Sequence, residues 1–307
     1  MNCGDMNAKF GLGGLVSFEP GPGGLTQALI RVAGHEARLM LHGAHLTHYQ
    51  PAGERPVLWM SGQSQFAAGK PIRGGVPICF PWFGSNEEDA TLPMHGFARL
   101  TEWEVIQTRQ PNAGSVEITL AMRSGEATRK LWPHEFVLKS TVTVGAALNM
   151  ALNVANIGRG DLTITEALHT YFSILDIHKV SVTGLADTDY IDKVAGGALA
   201  RQGSEPIAFV GEIDRAYLDT TAACVLEDPR LGRRIVIGKK GSDSTVVWNP
   251  WIAKAARMPD FGDDEWPGMV CIETANAGRN AVTIKPGKSH TMQARIEVAA
   301  LEAAKLT

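Results

Sequence analysis

Glycine and proline interrupt this chain so often that few stretches could run on as a long helix. There are 33 glycines and 16 prolines among 307 residues, spread from end to end. Glycine weakens a helix interior and proline breaks it. The stretches between them therefore favour short strands joined by turns over a helical bundle. Residues 116–120, 136–144 and 148–155 alternate as half-buried strands do. Residues 28–50 read as strands with tight turns at Gly34 and Gly43, and residues 282–298 as strands around a Pro286-Gly287 turn. With no short repeat and no linker-like segment, the simplest organisation is one continuous all-β domain over residues 1–307, with roughly twenty or more short strands.

Hydrophobic residues make up 44% of the chain, enough for a sizeable core. A formal net charge of −3 without a basic stripe argues against nucleic-acid binding. It leaves room for a local basic pocket that takes a small anion. Cys3, Cys79, Cys224 and Cys271 form no Cys-x-x-Cys pair, so neither a zinc knuckle nor a redox motif is indicated. They read as free thiols in a reducing compartment. Residues 1–10, with Asp5 and Lys9, lack a secretory apolar core. No apolar run reaches the roughly 18 residues of a membrane span. The expectation is a cytoplasmic protein, monomeric, with no membrane partner.

Glu273 is the most conspicuous candidate for chemistry. Residues 269–276, Met-Val-Cys-Ile-Glu-Thr-Ala-Asn, read as a buried strand that sets Glu273 on one face with Cys271 and Ala275. A carboxylate there is costly unless paired or kept for proton chemistry. His169 shares a strand face with Ala167 and Tyr171, and is either a satisfied core residue or a catalytic one. Residues 69–84 hold three prolines and four glycines yet are strongly apolar, so they form a packed, shaped loop with Arg73 in its middle. That guanidinium either captures phosphate or carboxylate bidentately or ties the loop to an acid.

His95 and Arg99 flank Gly96 in a second such segment. Asp214 is a substrate ligand or a turn cap. His42, His45 and His48 invite a metal reading, but on a strand His45 faces away from the other two, and they read as ordinary half-exposed residues. Arg233-Arg234 and Lys239-Lys240 mark the charged ends of a solvated edge strand. Asp260, Asp263, Asp264 and Glu265 lack calcium-loop spacing and read as a solvated, helix-starting stretch.

Taken together, Pro71-Ile72-Arg73-Gly74-Gly75-Val76-Pro77 with Phe80-Pro81-Trp82-Phe83-Gly84, His95-Gly96-Phe97-Ala98-Arg99, Leu168-His169-Thr170-Tyr171-Phe172, Asp214-Arg215-Ala216-Tyr217, and Trp248-Asn249-Pro250-Trp251 through to Cys271-Ile272-Glu273-Thr274-Ala275-Asn276 resemble the aldose 1-epimerase (galactose mutarotase-like) superfamily. Within it they are most similar to the glucose-6-phosphate 1-epimerase branch. The resemblance implies a β-supersandwich of mostly antiparallel strands and a cofactor-independent isomerase that interconverts the anomers of a hexose 6-phosphate. It implies Glu273 as general base and His169 as general acid, on opposite sides of the sugar. Arg73 and Arg99 would bind the phosphate, His95 an oxygen and Asp214 a hydroxyl, with no metal. Met94 departs from members that carry a polar residue there. The alternatives are a mutarotase for unphosphorylated aldoses and a non-catalytic carbohydrate-binding or regulatory protein.

Overall fold

The computed structural model describes residues 1–301. The single-domain reading extends over residues 302–307, which lie outside the described residues. Among the described residues, twenty-two strands form two eight-stranded sheets, a four-stranded sheet and a two-stranded one. Every strand pairing is antiparallel, as short strands joined by turns allow.

The first large sheet runs Ala198–Arg201, Asp189–Asp192, Ile213–Tyr217, Ser244–Asn249, Met269–Asn276, Glu166–Leu168, Ile78–Cys79, with Tyr171–Ser173 also paired to Met269–Asn276. The second runs Ser181–Thr183, Cys224–Asp228, Arg233–Lys240, Ser289–Ala300, Ala147–Asn156, Phe136–Val144, Ser115–Arg123, Glu104–Asn112. Val270, Ile272, Leu168 and Phe172 of the first share one continuous core with Leu148, Met150, Leu152 and Ile296 of the second. The opposite face of the first sheet carries a separate apolar cluster that includes Ala167, Tyr171, Trp248, Cys271 and Ala275. The expected alternation in residues 269–276 is therefore present, with both faces covered. Between the sheets, buried Glu166 lies 3.0 Å from His290 Nε2 and accepts a hydrogen bond from Asn276 at 3.0 Å.

One expectation fails. Arg233–Lys240 is an interior strand, paired on both sides to Cys224–Asp228 and Ser289–Ala300. Its Arg233 is buried and donates through its two terminal nitrogens to the carbonyls of Arg55, Pro56 and Ser173, while its Nε is buried without a partner. Short helices at Cys3–Phe10, Glu126–Leu131 and Trp251–Ala255 accompany the strands and leave the all-β architecture intact. The first is capped by Asn2, which accepts from Asp5 N at 2.9 Å. No helix among the described residues is long and apolar enough to cross a membrane.

Candidate active site

Strand register brings Glu273 and His169 together. Ala167 lies opposite Ala275 and Tyr171 opposite Cys271, so His169, midway, falls opposite Glu273. The strand breaks at His169-Thr170, yet bonds to the Gly-rich loop hold the register: His169 N donates to Pro77 O at 3.0 Å and Tyr171 N to Gly75 O at 2.9 Å. On the other side Val246 lies opposite Glu273, while Trp248 lies opposite Cys271 and Asp214 opposite Trp248. One row of the sheet thus carries Val246, Glu273 and His169. The next carries Asp214, Trp248, Cys271 and Tyr171. These two rows floor a cavity of about 480 Å³ lined by Arg73, His95, Arg99, His169, Asp214 and Glu273. All six candidate residues open onto one space.

His169 Nε2 is 3.3 Å from Glu273 Oε1. The two groups are cross-strand neighbours on one face of the sheet. Glu273 is 1% exposed and its Oε2 has no partner. Burial, opposed by Lys193, raises its carboxyl well above the ordinary carboxylate range. Burial, joined by His95, Arg73 and Arg99, drives His169 well below the usual histidine value. Tyr171 stacks on the imidazole at 4.8 Å and Trp248 meets it edge-on at 6.0 Å, which fixes the ring. Cys271 joins the pair to make three metal-ligand-type atoms within 4.8 Å of one another. Burial first, then Glu273, holds its thiol well above the usual range, so a cation would have to displace that proton.

The Gly-rich loop owes its shape to the histidines upstream. His42 Nε2 meets Lys70 O at 2.8 Å and His45 Nε2 meets Gly74 O at 2.7 Å. Both are buried, which corrects their reading as half-exposed. Burial brings His45 down to about 3, so it stays neutral and donates. Gly75, at φ +59°, packs so closely that a Cβ would sit 2.2 Å from Leu46 O. Arg73 then projects into the cavity, donating to Tyr171 Oη at 2.9 Å and to Asp260 at 3.1 Å. Glu265 accepts from Ser61 Oγ at 2.8 Å and Gly62 N at 2.9 Å. Asp260 and Glu265 are therefore structural partners and not a solvated stretch.

His95 sits at φ +63°, and its Nδ1 accepts from Gly84 N at 3.1 Å. A backbone donor at Nδ1 leaves the proton on Nε2. Burial and the nearby Arg99, Lys193 and Arg73 keep this ring neutral, with its pKa well below the usual value. Arg99 donates to Met94 O at 2.7 Å, and its Nε is buried without a partner. Met94 is exposed and lines the same cavity. Asp214 lies 3.3 Å from Lys254 and 3.5 Å from Lys193. Both lysines line the cavity and escaped the sequence reading, since nothing local links them to Asp214. The signal for Lys193 lies in strand pairing: its backbone N donates to Asp214 O at 2.9 Å.

Residues 27–297 match the family model for aldose 1-epimerase. The chain belongs to the aldose 1-epimerase family. It is 39% identical to an Escherichia coli (strain K12) protein named "Putative glucose-6-phosphate 1-epimerase", over 84% of this chain and 85% of that one. It is similar to the crystal structure of a "putative mutarotase" from Salmonella typhimurium, with a TM-score of 0.88 and 34% identity over 94% of this chain and 95% of that one. Galactose 1-epimerase from Lactobacillus acidophilus shares the fold, at a TM-score of 0.72 and 12% identity over 94% and 99% of the two chains. The galactose mutarotase-like sandwich expected from sequence is thus the observed architecture, and this family member is an isomerase that interconverts sugar anomers.

Proposed function

We propose that the enzyme interconverts the α and β anomers of a hexose 6-phosphate, glucose 6-phosphate foremost, by acid–base opening and reclosure of the ring at His169 and Glu273. The observation that carries this is the contact of those two side chains in register on the cavity floor. Once the shared proton has passed from Glu273 to His169 across their contact, Glu273 takes the proton of the C1 hydroxyl while His169 delivers one to the ring oxygen. The C1–O5 bond breaks to give the aldehyde, the C1–C2 bond rotates, and reclosure on the other face returns both protons. The substrate loses and gains one proton, so the pair's proton count is restored in every cycle. Burial favours the state with a single shared proton, because adding or removing one would leave net charge in an apolar site.

His95 Nε2–H donates to a sugar oxygen, and Asp214, held by two lysines, accepts from hydroxyls. Arg73 and Arg99 supply positive potential for the phosphoryl group. The names of relatives that mention glucose 6-phosphate support this substrate class, as does a cavity lined by four cationic side chains. NMR exchange spectroscopy tests it: the enzyme is expected to accelerate α/β exchange of glucose 6-phosphate far more than that of glucose. Equal acceleration would favour an unphosphorylated aldose, and none would favour a binding protein.

A further inference from the structure

Three donor atoms of different kinds meet at the cavity floor. A ring nitrogen of His169, the sulfur of Cys271 and a carboxylate oxygen of Glu273 lie within 4.8 Å of one another. One nitrogen, one sulfur and one oxygen suit zinc. Magnesium and calcium take oxygen ligands and gain nothing from a thiolate. All three side chains are buried. Glu273 Oε2 and His169 Nδ1 have no hydrogen-bond partner, so two of the three side chains carry an unsatisfied polar atom out of reach of water.

The separations are close to those around a coordinated ion. Bonds of about 2.0–2.1 Å to nitrogen and oxygen and about 2.3 Å to sulfur, at tetrahedral angles, set the donors roughly 3.3–3.6 Å apart. His169 Nε2 and Glu273 Oε1 are already at 3.3 Å. The sulfur, within 4.8 Å of both, has on the order of 1 Å to close.

Strand register builds this arrangement. Cys271 and Glu273 are two residues apart on one strand and share a face, and His169 falls beside Glu273. Trp248 and Tyr171 lie opposite Cys271 on its two sides, so aromatic rings flank the sulfur. His169 and Glu273 line the cavity, which leaves a fourth coordination position on the open side. A carboxylate, a thiolate and a neutral imidazole together balance a dication, so the filled site brings no net charge into apolar surroundings. Arg73, the nearby guanidinium, is itself met by Asp260 at 3.1 Å.

We propose that His169, Cys271 and Glu273 form an inhibitory site for Zn2+. Binding sends the thiol proton to solvent. The ion then holds both acid–base side chains, and ring opening stops until it leaves. The blockade rests on the acid–base reading of the pair; the binding does not.

Cobalt and zinc chlorides are the probes. Co2+ added to the wild-type protein is expected to give a thiolate-to-cobalt charge-transfer band that Zn2+ displaces and that Cys271→Ser lacks. In α/β exchange of glucose 6-phosphate, Zn2+ should inhibit, EDTA should restore the rate, and Mg2+ or Ca2+ at the same concentration should not inhibit. Cys271→Ser, compared with its own zinc-free rate, should need roughly 100-fold more Zn2+ or beyond, since even partners behind a ligand are worth about 10–100-fold in metal affinity. Cys224→Ser, whose thiol lies in the other large sheet, should keep the wild-type sensitivity. A wild type without the thiolate band overturns the site whether or not the variants fold. So does a Cys271→Ser enzyme inhibited at the wild-type zinc concentration, or a sensitivity lost in Cys224→Ser instead. A wild type that shows the band yet does not accelerate anomer exchange would keep the metal site and overturn the acid–base reading.

Discussion

The two eight-stranded sheets are built from similar residue types but solve different problems. Strand Ala147–Asn156 of one alternates strictly between half-exposed and buried positions. Strand Met269–Asn276 of the other is buried at all eight positions. The outer face of the Ala147–Asn156 sheet meets water, so its polar side chains cost little and do little. On the Met269–Asn276 sheet, the Gly-rich loop and residues 250–266 cover the outer face, and a carboxylate left there must shift its pKa or find a partner. Covering a sheet face converts an ordinary Glu into a reactive one.

The sharpest way to break this comparison is to remove an acid–base group from each sheet. His169→Asn is expected to lower kcat by about 10²–10⁴-fold, the usual worth of a positioned acid–base group. Glu117→Gln, which weakens a pairing with the exposed Arg109 and a hydrogen bond from Thr143 on the water-facing sheet, should leave kcat unchanged and move the thermal midpoint only slightly. A comparable loss of kcat in both would erase the distinction, as would none in either.

The join between the sheets gives the next effect. Hydrogen bonding to Glu166, against the cost of burial, raises the His290 pKa above 6.5. A group whose pKa is raised by folding contributes stability that is complete below its unfolded value and is lost as pH rises through the folded one. Unfolding free energy is expected to fall from pH 6 upward through that raised value. Glu166→Gln should remove this slope and cost about 3 kcal/mol, in line with broken buried pairs. Urea titrations at several pH values read both quantities. A wild-type curve that rises over this range would contradict the assignment.

Arg99→Ala ranks after these. It should raise KM for glucose 6-phosphate roughly 10- to 100-fold, the worth of one or two charge-assisted hydrogen bonds, with a much smaller effect on glucose. Arg73→Ala should also favour glucose over its phosphate, but it strands Asp260 and Tyr171, so kcat and the thermal midpoint should fall too. Kinetics on both sugars with parallel melts separates the two arginines. Identical behaviour would mean that Asp260 does not neutralise Arg73 in solution.

The same contrast explains what was legible in the sequence. Residues 116–120, 136–144 and 148–155 read as strands because one side is wet, and their period of two survives. Glu273 stood out for the opposite reason, as a charge in an apolar run. His42 and His45 were misread because their partners, the carbonyls of Lys70 and Gly74, lie about thirty residues away in a loop without periodicity. Arg233 was misread because its partners are three backbone carbonyls, which leave no mark in a sequence. Lys193 and Lys254 reach the site through strand pairing and loop closure. The cross-strand contact of His169 and Glu273 needed the register of three short segments around a break in the strand.

The central claim is that Glu273 exchanges a proton with the anomeric hydroxyl. It is tested most directly by two-dimensional NMR exchange of α- and β-glucose 6-phosphate in the presence of Glu273→Gln, with ligand binding followed in the same tubes. Exchange should fall to within a few per cent of the uncatalysed rate or below detection above it, an effect on the order of 10³-fold, while the sugar phosphate still broadens on binding. Cross-peaks that grow at close to the wild-type rate would place the proton transfer on some other group.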